Sequence, residues 1–170
     1  MKLERWIEKM RKRSEEMINN GAALYENTDA GLYFCPKSGT IAYFCADCQI
    51  IAPVWDEMAG KVDSLHRYFE AAVKDSTLAS ARAGVLPGVL GARDRNVFVF
   101  TNEKGVSAVV DKKLLRDFPK NTLFYVSSSI RPVLAGILEN GVLNVIGIVC
   151  PINAPADAVR FEDQGAAAAD

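Results

Sequence analysis

The sequence predicts an α/β protein: a mixed sheet flanked by helices, with an amphipathic helix at its N-terminus and a β-hairpin extension at its C-terminus. Three observations lead there. Apolar residues recur at helical spacing near the start of the chain, a β-rich run delivers a C-x-x-C pair to what reads as the start of a second helix, and two pairs of apolar runs surround Gly-containing turns. With 170 residues, 49% hydrophobic and 24% charged, the chain is long enough to bury a core. Four segments are expected: an N-terminal amphipathic helix over 1–21, a core over 22–119, a β-rich extension packed on that core over 120–152, and a flexible tail over 153–170.

Residues 2–19 place Leu3, Trp6, Ile7, Met10, Met17 and Ile18 on one helical face opposite most of the charges, and Gly21 supplies a stop. Trp6, Met10 and Met17 read as a docking face, and Arg11, Lys12 and Arg13 as a solvated one. Residues 32–35 and 40–44 are extended runs joined by Pro36, Lys37, Ser38 and Gly39, which suit a tight turn. After Cys48, the spacing of Ile51, Val54, Trp55, Met58, Val62 and Leu65 predicts a helix bent by Pro53. Residues 67–83 fit either its continuation or a short buried strand, and 78–82 a short helix, before Gly84, Pro87, Gly88 and Gly91 mark irregular backbone. Residues 97–101 and 106–110 form a hairpin around Asn102 to Gly105, and Asp111 caps a short helix that Pro119 ends. Residues 122–128, 132–138 and 142–149 are strands, the last two joined at Glu139, Asn140 and Gly141.

Charge narrows the function classes. Twenty Lys and Arg against 21 Asp and Glu give a net charge of -1, so no global positive field exists to hold a nucleic-acid backbone or an anionic membrane, and no nucleic-acid partner is expected without a local basic patch. The longest uncharged stretch, residues 140–156, is broken by Gly and Pro and too short for a bilayer, so no membrane span is expected. Early charges leave no apolar signal core. The chain reads as cytoplasmic as written, with a periplasmic or secreted location open if a signal peptide was removed.

Cys35, Cys45, Cys48 and Cys150 allow a metal site, structural disulfides or a redox dithiol. For zinc, Cys35, Cys45, Cys48 and the single His66 are the right ligand types. A tight turn at 36–39, however, sets Cys35 about five residues, or ~16 Å of strand, from Cys45. For a dithiol, Cys45 at a helix N-terminus is the attacking thiolate and Cys48, one turn inward, resolves the mixed disulfide, while the charge of Asp47 works against the thiolate. His66 lies beside Val62, Leu65 and Phe69 and reads as structural, Ser127 to Ser129 as turn serines, and pairing of Cys35 with Cys150 is open.

Residues 40–59, TIAYFCADCQIIAPVWDEMA, resemble the active-site segment of thioredoxins: a buried strand, C-x-x-C, and a helix with a proline five residues after the second Cys. Residues 78–88 resemble more weakly the family's stretch before its cis-proline, with Pro87 in that role, which would make 69–75 a strand; read from the residues alone, Pro87 is equally a loop residue. The resemblance covers about 40–118. It implies a thioredoxin-like fold and thiol-disulfide exchange by Cys45 and Cys48, with Phe44, Leu86 and Pro87 binding a protein or peptide disulfide substrate, no bound cofactor, and an external electron donor or acceptor. The absence of Trp before Cys45, Asp47 where the family commonly has Pro, and the extra strands favour a second reading, a non-catalytic binding or regulatory module. A small zinc-stabilised regulatory protein is the third.

Overall fold

The computed structural model describes residues 1–50 and 60–161. Its strands are β1 (Ala23–Asn27), β2 (Gly31–Pro36), β3 (Ile41–Ala46), β4 (Thr77–Leu86), β5 (Arg95–Asn102), β6 (Ser107–Asp111), β7 (Leu123–Val126), β8 (Val133–Glu139), β9 (Val142–Val149) and β10 (Arg160–Phe161). The helices are α1 (Leu3–Asn19) and α2 (Leu65–Val73), with 3-10 turns at Lys112–Leu115 and Ala156–Ala158. The strands join in the order β1-β2-β3-β9-β8-β7-β4-β5-β6, with β10 added on β4, and every pair is antiparallel. This corrects the expected fold class. A sheet-dominated antiparallel architecture replaces the thioredoxin-like mixed sheet flanked by helices.

Alternation along the strands builds two apolar faces. Leu32 and Phe34 of β2, Tyr43 and Cys45 of β3, Val133, Ala135 and Ile137 of β8 and Phe100 of β5 face one side, where Trp6, Met10 and Ile18 of α1 complete the core. Cys35, Ala42, Leu134 and Ile148 face the other side, against Leu65, Phe69 and Ala72 of α2. Beyond α2, that second face is covered by the C-terminal segment, where Val159 packs on Val97, Val99 and Val109.

The N-terminal helix matches its expected span, and Gly21 ends it at a φ of +70°. Its N-terminus has no side-chain cap of its own; the Leu3 N–H instead donates to Glu139 Oε2 at 2.9 Å, from the β8–β9 hairpin. The two hairpins at 97–110 and 132–149 also form, the second through Asn140 and Gly141 at φ +54° and +76°. Asp111 caps the first 3-10 turn by accepting from Lys113 N–H at 2.9 Å.

Other segments depart from expectation. Residues 78–82, Leu-Ala-Ser-Ala-Arg, have strong helix formers yet lie in β4, because pairing of 77–79 with β7 and of 79–86 with β5 overrides local propensity. The small residues have a use there: a Cβ at Gly84 would run into Val159 and Arg160, so β10 can pair only because that position is bare. The implied strand over 69–75 is instead the end of α2, through Val73, and the turn after it, and Leu65, Phe69 and Ala72 fall on one buried helix face. Residues 120–152 are not an extension: β8 and β9 bridge β3 to β7 in mid-sheet. Residues 153–161, expected as tail, carry the second 3-10 turn and β10. Among the positions of the expected helix after Cys48, Ile51, Pro53, Val54, Trp55 and Met58 lie outside the described residues.

Candidate functional site

Cys45 is not at a helix N-terminus. It sits within β3, paired with Leu32 of β2, and the backbone then turns through Asp47 at φ +57° into a non-helical run over residues 48–50. The left-handed Asp47 swings Cys48 back, so the two Cα atoms are 5.7 Å apart and the sulfurs form a disulfide. Gly31 makes the neighbouring space: at φ +153° it lies so close to the Cys45 carbonyl that any side chain would collide.

This disulfide is sealed. Cys45 is 0% and Cys48 3% exposed, and Cys45 Sγ lies 3.5 Å from the Ile7 carbonyl oxygen of α1. A latch holds α1 over it. Arg13 Nη1 is 2.6 Å from Asp117 Oδ2, the Tyr43 hydroxyl donates to the same oxygen at 3.1 Å, and Lys9 Nζ donates to the Asp117 carbonyl at 3.2 Å. Burial raises the Tyr43 phenol well above its usual value, and the nearby Asp117 charge adds to the effect. Burial also pushes Asp117 upward, but the hydrogen bond and charge of Arg13, with Tyr43 and Lys9, outweigh it and hold the carboxyl low. Below the latch Trp6 stacks on Phe118, with centroids 5.7 Å apart.

The other expected site residues do not converge on the sulfurs. Phe44 follows the strand alternation to the opposite face, where it packs against Tyr33 at 4.5 Å. Leu86 ends β4 and Pro87 follows it, on a strand separated from β3 by β9, β8 and β7. All described peptide bonds are trans. Leu86 and Pro87 line a different cleft, about 440 Å³, with Val89, Arg93, Ile152 and Pro155.

Nor do the zinc candidates gather. Cys35 lies on the face opposite Cys45, and His66 Nδ1 is 2.9 and 3.0 Å from the two Glu26 carboxylate oxygens, while the His66 backbone N–H donates to Glu26 Oε1. Among the described residues no three His, Cys, Asp or Glu side chains form a metal-binding group. Cys35 and Cys150 are free thiols that line one pocket of about 300 Å³ with Ile41, Leu65 and Ile148. Burial raises both thiols above the usual value, and for Cys35 the neighbouring Cys150 raises it further, so neither is activated.

Sequence reasoning passed over a second region. The eight residues between β4 and β5 project Val89 and Leu90, 74% and 105% exposed. Next to them a groove of about 730 Å³ is lined by Arg93, Arg95, Lys112, Lys113 and Arg116, with Asp94 and Asp111. The available signal was Arg-Asp-Arg at 93–95 and Lys-Lys at 112–113, two short clusters that only the β5–β6 hairpin brings together. No described helix is long and apolar enough to cross a membrane. Comparison with family models, curated proteins and solved structures gives no match.

Proposed function

We propose that the chain is a non-catalytic binding module built on an antiparallel sheet, in which the Cys45–Cys48 bond is a structural staple. The observation that carries this reading is the burial of both sulfurs, with Cys45 Sγ set against the Ile7 carbonyl of α1. A catalytic dithiol must meet a substrate disulfide in line with its own sulfur, and this one meets the Ile7 carbonyl. The exposed, unused surface lies elsewhere, at the β4–β5 loop and the basic groove.

Thiol-disulfide exchange is the second reading, favoured by the bonded C-x-x-C itself. In it, the reduced Cys45 thiolate attacks a substrate disulfide, forming a mixed disulfide and expelling one substrate thiolate. Cys48 then attacks Cys45, re-forming their bond and releasing the second thiolate, and an external dithiol returns two electrons and two protons. The obstacle is energetic. Lifting α1 exposes Trp6, Met10 and Ile18, which at ~1.5–3 kcal/mol each costs about 4.5–9 kcal/mol, so the open form is on the order of one molecule in two thousand or rarer.

Insulin reduction with dithiothreitol as donor separates the two. The binding-module reading expects the wild-type protein to reduce insulin no faster than its Cys45→Ser variant. Catalysis above that variant would establish exchange and remove the structural reading.

A further inference from the structure

We infer that the β4–β5 loop and the basic groove beside it form a docking surface for an anionic lipid bilayer. This rests on the reading of the chain as a binding module and names its partner.

The geometry begins with the loop. Leu86 of β4 pairs with Arg95 of β5, so residues 87–94 extend past the end of the ladder. The loop is held in shape by its own bonds: Gly88 N–H donates to Asp94 Oδ1 at 2.9 Å, and Ala92 N–H to the Val89 carbonyl at 3.0 Å. Within this frame Leu90 adopts φ +53°, a conformation that bulky residues rarely take, followed by Gly91 at +84°. The result presents two adjacent aliphatic side chains to water, Leu90 completely. Exposed single aliphatics are common on protein surfaces, but a braced pair at a loop tip held in a disfavoured backbone conformation is not.

The charges beside the loop fit the same surface. Five cations line the adjoining groove, and its two acids are already turned to backbone N–H groups, Asp94 to Gly88 and Asp111 to Lys113. Arg93 and Arg95 border both the groove and the cleft that contains Val89, which places the cations immediately behind the apolar tip. Lys112 Nζ sits 5.0 Å from the Phe98 ring centre. On a chain with net charge -1 this is a local concentration of positive charge.

An apolar tip backed by cations matches the layering of an anionic membrane surface, where aliphatic side chains enter the acyl boundary and Lys and Arg meet the headgroups. A nucleic acid would use the cations but has no use for Val89 and Leu90; the groove offers no aromatic side chain on which a base could stack. An acidic peptide likewise leaves the two aliphatics unexplained. Attachment at a surface needs no spanning segment and accords with the short described helices.

The test is co-sedimentation of the full chain with vesicles of phosphatidylcholine alone and with about 30% phosphatidylserine, at about 0.05 and 0.15 M salt. Binding is expected only with phosphatidylserine, weaker at the higher salt. Arg93→Gln with Arg95→Gln should weaken it about 25-fold, fivefold per lost cation. Val89→Ser with Leu90→Ser should weaken it about tenfold or more. Circular dichroism checks that both double variants fold, which their exposure favours.

No binding to phosphatidylserine vesicles at low salt overturns the proposal, as does binding that neither double variant weakens. Tighter capture of a single-stranded oligonucleotide or polyglutamate, lost with the arginines but not with Val89 and Leu90, overturns it too. So does self-association in sedimentation velocity that the Val89→Ser, Leu90→Ser pair abolishes while vesicles remain unbound. Insulin reduction stays the separate test of the underlying reading: a chain that neither reduces insulin nor binds vesicles loses the lipid assignment alone.

Discussion

At the β3 end of the sheet, the residues with the most reactive chemistry point inward. Cys45, Cys48 and Tyr43 are buried in the core cluster that Trp6 and Met10 of α1 share, bonded to each other or to the latch at Asp117. At the β4–β5 end, the side chains outside the core are ordinary ones, two aliphatics and five cations, but they stand in water without covering elements. The contrast teaches that chemical reactivity in a sequence and availability in a fold are separate properties. A disulfide capped by a helix works on stability, whereas a bare loop next to a charged groove is positioned to meet something else.

The largest effect that bears on this contrast is at Trp6. Trp6→Ala removes the 0%-exposed ring that stacks on Phe118 and should cost about 3–5 kcal/mol in urea unfolding. A loss below about 1 kcal/mol would mean that α1 does not cap the sheet, and the two ends would no longer differ.

A smaller effect is expected from acid. Asp117 has a lowered folded-state pKa, so it contributes stability above the usual carboxylate value of about 4, and that contribution drains away as pH falls through the lowered folded value. Both latch side chains are about one-third exposed, so solvent screening limits the effect to less than about 1 kcal/mol. Asp117→Asn should flatten that part of the stability-versus-pH curve and leave its shape near neutral pH unchanged. An unchanged acid limb would show that the latch is not formed in solution. The smallest effect is expected at the loop, where Val89→Ser and Leu90→Ser should each change stability by no more than about 0.5 kcal/mol. A larger loss would place those side chains in the core.

Much of the local structure was legible in the sequence. The α1 stripe, the Asn140-Gly141 turn and the Asp111 cap rest on neighbours within a few residues, which periodicity and turn chemistry report directly. The strand order was not legible, because it depends on contacts between distant segments such as β3 with β9 and β7 with β4. Segment 78–82 shows the failure at its clearest: Ala, Leu and Arg favour helix locally, and only pairing with the distant strands β7, at 78–79, and β5, from 79 on, makes it a strand. The resemblance to thioredoxins rested on residues 40–59, of which 51–59 lie outside the described structure. In the remainder, a left-handed Asp47 replaces the expected helix start. The dithiol was legible as a pair close enough to bond, but not as a buried one. Its cover comes from α1, about forty residues earlier in the chain. The basic groove was missed for the same reason, since its cations lie in two clusters that only the β5–β6 hairpin unites.

The account's central claim is that the Cys45–Cys48 disulfide is a covered part of the core, and native-state reduction tests it most directly. Dithiothreitol is added to the folded protein and to the same protein in urea, and the loss of the disulfide is followed by quenched alkylation and mass analysis. The folded protein is expected to be reduced at least about a thousandfold more slowly than the unfolded chain, with a rate that climbs as urea populates the opening of α1. Reduction of the folded protein at the rate of the unfolded chain would contradict it.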